Sequence, residues 1–330
     1  MQTPLALLPD SPTLTARLSA AFDGHGPAQV AVLERKHPRY MSTFPNEIVT
    51  CRLPDGGQRR LFCKYEAGKS HNSFGHRGGL AYEAEVYQRI LRPLGTFRPG
   101  LLGAHTDDSN GGTWLLLEYL DRCTRLKDIR VRRKGISQPV AMVLAARWLG
   151  QFHAVEQLRV SSGSLSFLKR YDAEYYAGWA RRTWEFAKPL RPRFPWLATL
   201  RKQGAKIFAP LLTAPVTVIH GEFYINNILV RRKRVFPVDW ESTAIAAGEI
   251  DLAALIEGPW PERVTRQCIR AYGASRWPEG PPRDYGRTLD TARLYLCFRW
   301  LGERPDWTTR EKSRWRYDYL RATAKRLGLI

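Results

Sequence analysis

His220, Glu222 and Asn227 share one short run, HGEFYINNILV, and Asp239 follows after the basic turn Arg231-Arg232-Lys233-Arg234. These residue types at this spacing suit metal-assisted phosphoryl transfer. That reaction needs a carboxylate to take the proton of an acceptor hydroxyl, oxygen ligands for Mg²⁺, and a cation against the phosphates that stay behind. Glu222 offers the carboxylate. Asn227, five residues on, offers an amide oxygen, and Asp239 a hard anionic oxygen of the kind Mg²⁺ prefers. Ile228 to Val230 and Val235 to Val238 are apolar or β-branched on both sides of the turn, which predicts a hairpin returning Asp239 toward Asn227.

On these residues the chain resembles the aminoglycoside phosphotransferase and choline kinase family, which shares the eukaryotic protein kinase fold. The family signature is His-Gly-Asp, an Asn five residues beyond that Asp, a second Asp followed by an aromatic residue or Leu, and Gly-x-x-x-Asp-Leu-Ala. The chain matches as His220-Gly221, Asn227, Asp239-Trp240, and Gly248 to Ala253. It departs at the base position, which is Glu222 rather than Asp. The extra methylene moves the carboxylate by about 1 Å, a displacement that can cost on the order of 10²-fold in rate. The resemblance implies Asn227 and Asp239 as the Mg²⁺ ligands, Glu222 as base or orienting carboxylate, His220 as a brace of its loop and Asp251 as that loop's anchor. Taken alone, Asp251 would read as an ordinary acid in the first turn of a helix.

A lysine paired with a glutamate is the next requirement. Asn46 to Leu53 and Gln58 to Tyr65 flank Pro54-Asp55-Gly56-Gly57 and predict a β-hairpin with Lys64 at the end of its second strand. Farther on, LAYEAEVYQRIL sets Leu80, Glu83, Tyr87 and Ile90 on one helical face. A carboxylate on an apolar face wants a cation, so Glu83 is matched to Lys64 and Glu85 is the lesser choice. In the family such a pair holds the lysine against the α and β phosphates. The loop after the strand Gln29 to Lys36 has neither GxGxxG nor GxxxxGK; Ser42 and Thr43 are its candidate phosphate contacts. Thr113 to Leu120 reads as a buried strand entering a hinge, and the resemblance makes backbone groups of Leu117, Glu118 and Tyr119 the candidates for the adenine.

The resemblance implies an α+β, two-lobed protein-kinase-like fold. Residues 1–120 would form the nucleotide-binding lobe, a small antiparallel sheet with one key helix. Residues 121–330 would form a larger, mainly helical lobe for catalysis and acceptor binding. A helix opening near Ser137 and Pro139 ends in WLGQFHA, where His153 reads as a buried structural residue. Tyr171, Tyr175 and Trp179 recur every four residues, a stripe that is more often core than a ligand platform.

Length and composition agree with two lobes. The chain has 330 residues, 44% of them hydrophobic, enough for a sizeable core. Five scattered cysteines without CxxC argue against a zinc site or a disulfide framework. No signal peptide or membrane span is evident, which points to a cytoplasmic protein. The net charge of +21 sets a field that attracts anions, so a neutral or anionic hydroxyl acceptor suits it better than an aminoglycoside. The basic clusters at Arg130 to Lys134, Arg231 to Arg234 and Arg310 to Arg326 could also meet acidic surfaces nonspecifically. No signature of specific nucleic-acid binding is present. The expected donor is ATP, with GTP as the alternative, carried with Mg²⁺. The competing expectation is a kinase-like nucleotide- or ligand-binding protein with weakened catalysis, Glu222 and the missing glycine loop being its marks.

Overall fold

Alternating apolar residues flank a tight glycine turn in the first sheet. In the computed structural model, which describes residues 8–22, 30–38, 44–53, 55–66, 73–94, 98–106, 112–129, 136–161 and 163–330, strands β1 (Ala31–Lys36), β2 (Asn46–Arg52), β3 (Gln58–Tyr65), β4 (Leu101–Thr106) and β5 (Thr113–Glu118) form one antiparallel sheet in the order β1-β2-β3-β5-β4. The β2–β3 register pairs Asn46 with Lys64 and Arg52 with Gln58. At the turn, Gly56 takes a φ of +81°, and Gly57 N–H donates to Asp55 Oδ1 at 2.8 Å. The positive φ at Gly56 costs little because glycine has no Cβ.

Helix α1 (Ser11–Phe22) buries Leu14 and Leu18 in the same core as Val49, Cys51, Leu61, Cys63 and Leu116. Helix α2 (Gly79–Val86) passes into a π-helical turn over Tyr87–Leu91 and then a 3-10 turn over Arg92–Leu94. Leu80, Glu83, Tyr87 and Ile90 are all fully buried, as their spacing requires. Glu85 instead lies near the surface, paired with Arg89 at 2.8 Å.

The described residues fall into two compact units: Met1–Cys123 with Phe236–Ser242, and Thr124–Val235 with Thr243–Ile330. The second is mainly helical. It contains β6 (Thr124–Arg125), α3 (Gln138–Ser161), β7 (Lys169–Arg170), α4 (Ala173–Phe186), α5 (Leu197–Gln203), α6 (Ala209–Thr213), β8 (Val216–Ile219), β9 (Ile228–Arg231) and the start of β10 (Arg234–Pro237). After the chain returns come β11 (Ala244–Ala247), α7 (Glu249–Leu255), α8 (Glu262–Arg276), α9 (Tyr285–Leu301), α10 (Pro305–Thr309) and α11 (Arg314–Arg326). The short strands make two sheets, β10-β9-β6 and β7-β11-β8; β11 runs parallel to β7 and antiparallel to β8. Asp172 caps α4, accepting Tyr175 N–H at 2.8 Å. Tyr171 and Trp179 of the aromatic stripe are buried and Tyr175 is partly so, which makes the stripe part of the core. Among the described residues no helix is long and apolar enough to cross a membrane.

Helices α3 and α8 meet at Gly150. A Cβ there would lie 2.5 Å from the Tyr272 carbonyl oxygen and 2.9 Å from Ser275 Cβ. Alanine at this position gains about 1 kcal/mol of helix propensity. The clash is with backbone that cannot step aside, and such overpacking costs about 1–3 kcal/mol or more. Gly150→Ala is therefore expected to lower the unfolding temperature; an unchanged or raised temperature would mean that the helices can part without loss.

Candidate active site

Strand β3 delivers Lys64 to the inside of the first unit, where α2 presents Glu83. Lys64 Nζ lies 3.1 and 2.8 Å from the two Glu83 carboxylate oxygens and 2.7 Å from Asp239 Oδ1. Glu83 Oε1 also accepts Trp240 N–H at 3.1 Å. One buried carboxylate thus binds the strand lysine and the backbone beside Asp239. Burial alone would lower the Lys64 pKa, but Asp239, Glu83 and Glu241 outweigh it and hold the ammonium protonated. Asp239 has a φ of +72°, a left-handed conformation that costs a non-glycine residue about 1–3 kcal/mol and that clusters at functional sites. Its side chain is 25% exposed while Lys64 and Glu83 are buried, so the carboxylate retains access to solvent.

Glu241 was not singled out from the sequence. It is 1% exposed, and neither carboxylate oxygen has a hydrogen-bond partner among the described residues; Arg77 Nε stands 3.6 Å away. Burial, then the nearby Asp239 carboxylate, push its pKa up to about 8 against the opposing pull of Arg77 and Lys64. Its signal in the sequence is a charge set between Trp240 and the apolar run that becomes β11.

The second unit holds the loop from His220 to Asn227. Asp251, near the start of α7, accepts the backbone N–H groups of His220 (2.6 Å) and Gly221 (2.9 Å). His220 Nδ1 accepts Glu222 N–H at 3.3 Å, and Asn227 Nδ2 donates to the Glu222 carbonyl at 3.0 Å. Asn227 thus closes its own loop through nitrogen, which leaves the amide oxygen as its only ligand atom. Behind Asp251 stands a buried chain: His153 Nε2 to Asp251 Oδ2 at 3.3 Å, His153 Nδ1 to the Tyr272 hydroxyl at 2.9 Å, and Arg276 Nη1 to that hydroxyl at 2.6 Å. A carboxylate only accepts and a guanidinium only donates, so His153 is neutral with its proton on Nε2, and the tyrosine donates to Nδ1. Gly248 makes room for this arrangement: a Cβ there would lie 2.5 to 2.6 Å from His153 Nδ1, Arg276 Nη1 and the Tyr272 hydroxyl.

Glu222 is buried and ion-paired with Arg299 Nη2 of α9. Arg299 too was missed from the sequence, although an arginine inside the apolar run LYLCFRWL needs a partner. Leu117 is buried within β5. The Glu118 and Tyr119 amides donate to the Gly100 and Arg60 carbonyls at 2.8 and 3.1 Å, so a base read by this segment would use its other backbone groups. Ser42 and Thr43 lie outside the described residues, as does the cluster Arg130 to Lys134.

Among the described residues no cluster of three or more His, Cys, Asp or Glu is arranged to cage a metal. The donor chemistry still suits Mg²⁺, which is usually held by one or two carboxylates together with substrate phosphates. Asp239 is partly exposed, and the Glu241 oxygens have no hydrogen-bond partner among the described residues.

The buried imidazole gives a pH test. Burial, only partly offset by Asp251, lowers the His153 pKa from 6.5 to about 4. The unfolded chain therefore binds the proton first, and His153 contributes stability that is present above pH 6.5 and lost as pH falls toward 4. The loss is on the order of 3 kcal/mol. The stability advantage of wild type over His153→Gln should shrink by that order across this window in denaturant titrations. Parallel pH profiles would contradict the neutral assignment.

Residues 69–287 match the family described as the APH phosphotransferase enzyme family. No curated protein sequence matches the chain. The fold is similar to that of the choline kinase LicA from Streptococcus pneumoniae, with a TM-score of 0.61 and 12% identity over 97% of this chain and 99% of that one. It is also similar to a choline kinase from Cryptosporidium parvum Iowa II, with a TM-score of 0.57 and 14% identity over 97% and 98%. An aminoglycoside-3'-phosphotransferase of type VIII gives a TM-score of 0.53 and 20% identity over 86% and 98%. The sheet with its lysine–glutamate pair and the mainly helical remainder are thus those of a kinase-like α+β fold, and the chain belongs to the phosphotransferase enzyme family.

Proposed function

We propose that the chain transfers the γ-phosphoryl group of ATP, or of GTP, to a hydroxyl of a small molecule in the cytoplasm. The observation that carries this reading is the buried contact of Lys64 with both Glu83 and Asp239. It keeps the ammonium charged and fixed without consuming Asp239, whose second oxygen remains a ligand atom. Asp239 and the Asn227 amide oxygen are assigned to Mg²⁺, with Glu241 as a further carboxylate beside Asp239. When bound, the ion neutralises charge on the phosphates. Lys64 holds the non-transferred phosphates, and residues 117–119 lie against the base. Glu222 orients the acceptor hydroxyl and takes its proton, with Arg299 holding its carboxylate.

The acceptor is assigned as neutral or anionic. A net charge of +21 disfavours the approach of a polycationic aminoglycoside. Some of the basic side chains are engaged within the protein, which leaves the net charge unchanged: Arg326 pairs with Asp290 at 3.1 Å, Arg316 with Glu257, and Arg310 lies over the Trp307 ring. The reading of a binding protein with lost catalysis is less favoured, because a strained Asp239 serves no purpose once chemistry is gone.

Phosphoryl transfer to a panel of neutral, anionic and aminoglycoside alcohols tests this. Asp239→Ala is expected to lower turnover by at least about 10²-fold with the fold retained. Undiminished transfer by that variant would overturn the metal assignment. A preference for aminoglycosides would overturn the acceptor class.

A further inference from the structure

The loop that carries Glu222 is gripped twice. Asp251, backed by His153, Tyr272 and Arg276, takes hold of His220 and Gly221. The end of α9 grips the loop through two consecutive residues. Arg299 pairs with the Glu222 carboxylate, and Trp300 Nε1 donates to the Tyr224 hydroxyl at 2.9 Å. Within the loop, Tyr224 N–H donates to the Glu222 carbonyl at 2.7 Å and Asn227 N–H to the Tyr224 carbonyl at 2.8 Å. Displacing Glu222 or Tyr224 therefore also displaces Asn227.

Arg299 is suited to this hold. It is 1% exposed, and its guanidinium lies 4.6 Å from the centroid of the Trp300 ring. Nε and Nη1 have no hydrogen-bond partner among the described residues, so the pairing with Glu222 is the hydrogen bond the structure gives this group. A buried cation with one anchoring carboxylate does not release it cheaply. In the core near α4 and α9, the Tyr175 and Tyr295 hydroxyls meet at 3.1 Å. Glu303 adds a second favourable charge.

We propose that Arg299, seconded by Trp300, is the positioning residue that lets a glutamate serve at the base position of this chain. The longer side chain of Glu222 has one more rotatable bond than aspartate and would place its carboxylate in several rotamers. Arg299 selects one by holding a carboxylate oxygen. The family resemblance supplies the site, and the inference rests on the phosphotransferase reading of it. What it adds is that Glu222 and Arg299 act as a matched pair, neither exchangeable alone.

Two measurements on the full chain test it. Hydrogen exchange over residues 220–227 reads the grip without turnover. Arg299→Lys keeps a cation but loses the planar fork, and should raise exchange over Tyr224 to Asn227 by about tenfold or more while β8 is unchanged. Unchanged loop exchange overturns the proposal. The second is the basal hydrolysis of Mg–ATP. Arg299→Lys should lower kcat by about tenfold or more and leave KM for ATP within about twofold, since a misplaced base costs rate and not nucleotide affinity. In a Glu222→Gln background the same substitution should have no further effect on kcat. Trp300→Phe, which keeps the ring and loses the donor, should give a smaller loss of the same kind. An equal, multiplicative loss in the Glu222→Gln background would show Arg299 to be merely structural. Wild type lacking both hydrolysis and nucleotide binding would instead sink the phosphotransferase reading, leaving the exchange result to decide on the grip.

Discussion

A fully buried carboxylate must find a cation or lose its charge, and Glu83 meets that demand with Lys64. The organisation of the first unit follows from this contact. It fixes the strand that carries the lysine against the helix that carries the glutamate. It also reaches Asp239, far along the chain, through both the lysine and the Trp240 amide. Isolated surface pairs contribute little, but breaking one partner of a buried pair strands a charge and costs about 3–5 kcal/mol. The left-handed backbone at Asp239 is tolerable in that setting because neighbouring contacts over-determine it.

The second unit solves a similar problem with a different set of charges. Here the residue to be held is a loop backbone, and Asp251 satisfies two of its amides at once. Asp251 in turn is held by a neutral histidine whose tautomer is fixed by a tyrosine and an arginine behind it. The chain begins at a group that can only accept, Asp251, and ends at one that can only donate, Arg276, and the imidazole and hydroxyl between them relay one direction. Gly248 and Gly150 are conditions for this packing: at each, a methyl group would collide with the network or with the backbone behind it.

Much of this could be read from the sequence where the code is local. The β2–β3 hairpin was legible from its strands and glycine turn, and the inward face of α2 from the spacing of Leu80, Glu83, Tyr87 and Ile90. The pairing of Lys64 with Glu83 was expected from the family resemblance, which calls for a strand lysine, together with the placement of Glu83 on an apolar helical face. Arg299 and Glu241 were not found. Arg299 lies in an apolar run that reads simply as core and Glu241 beside one, and the surroundings of each are set by tertiary packing over long sequence separations rather than by any spacing. The Tyr272–Arg276 support for His153 was hidden for the same reason, and the π-helical turn after α2 leaves no mark in the hydrophobic pattern.

The account stands on one proposal, that Lys64 and Asp239 hold a nucleotide and its metal. The most direct test is thermal unfolding of the wild-type chain with ATP or GTP, each with and without Mg²⁺, beside Asp239→Ala. Ligand at about a hundred times its Kd should stabilise the fold by about 2.7 kcal/mol, which is a resolvable rise in unfolding temperature. A rise that requires Mg²⁺ in the wild type and disappears in Asp239→Ala is the predicted result. No rise with either nucleotide, or a rise indifferent to both Mg²⁺ and Asp239, would contradict the claim.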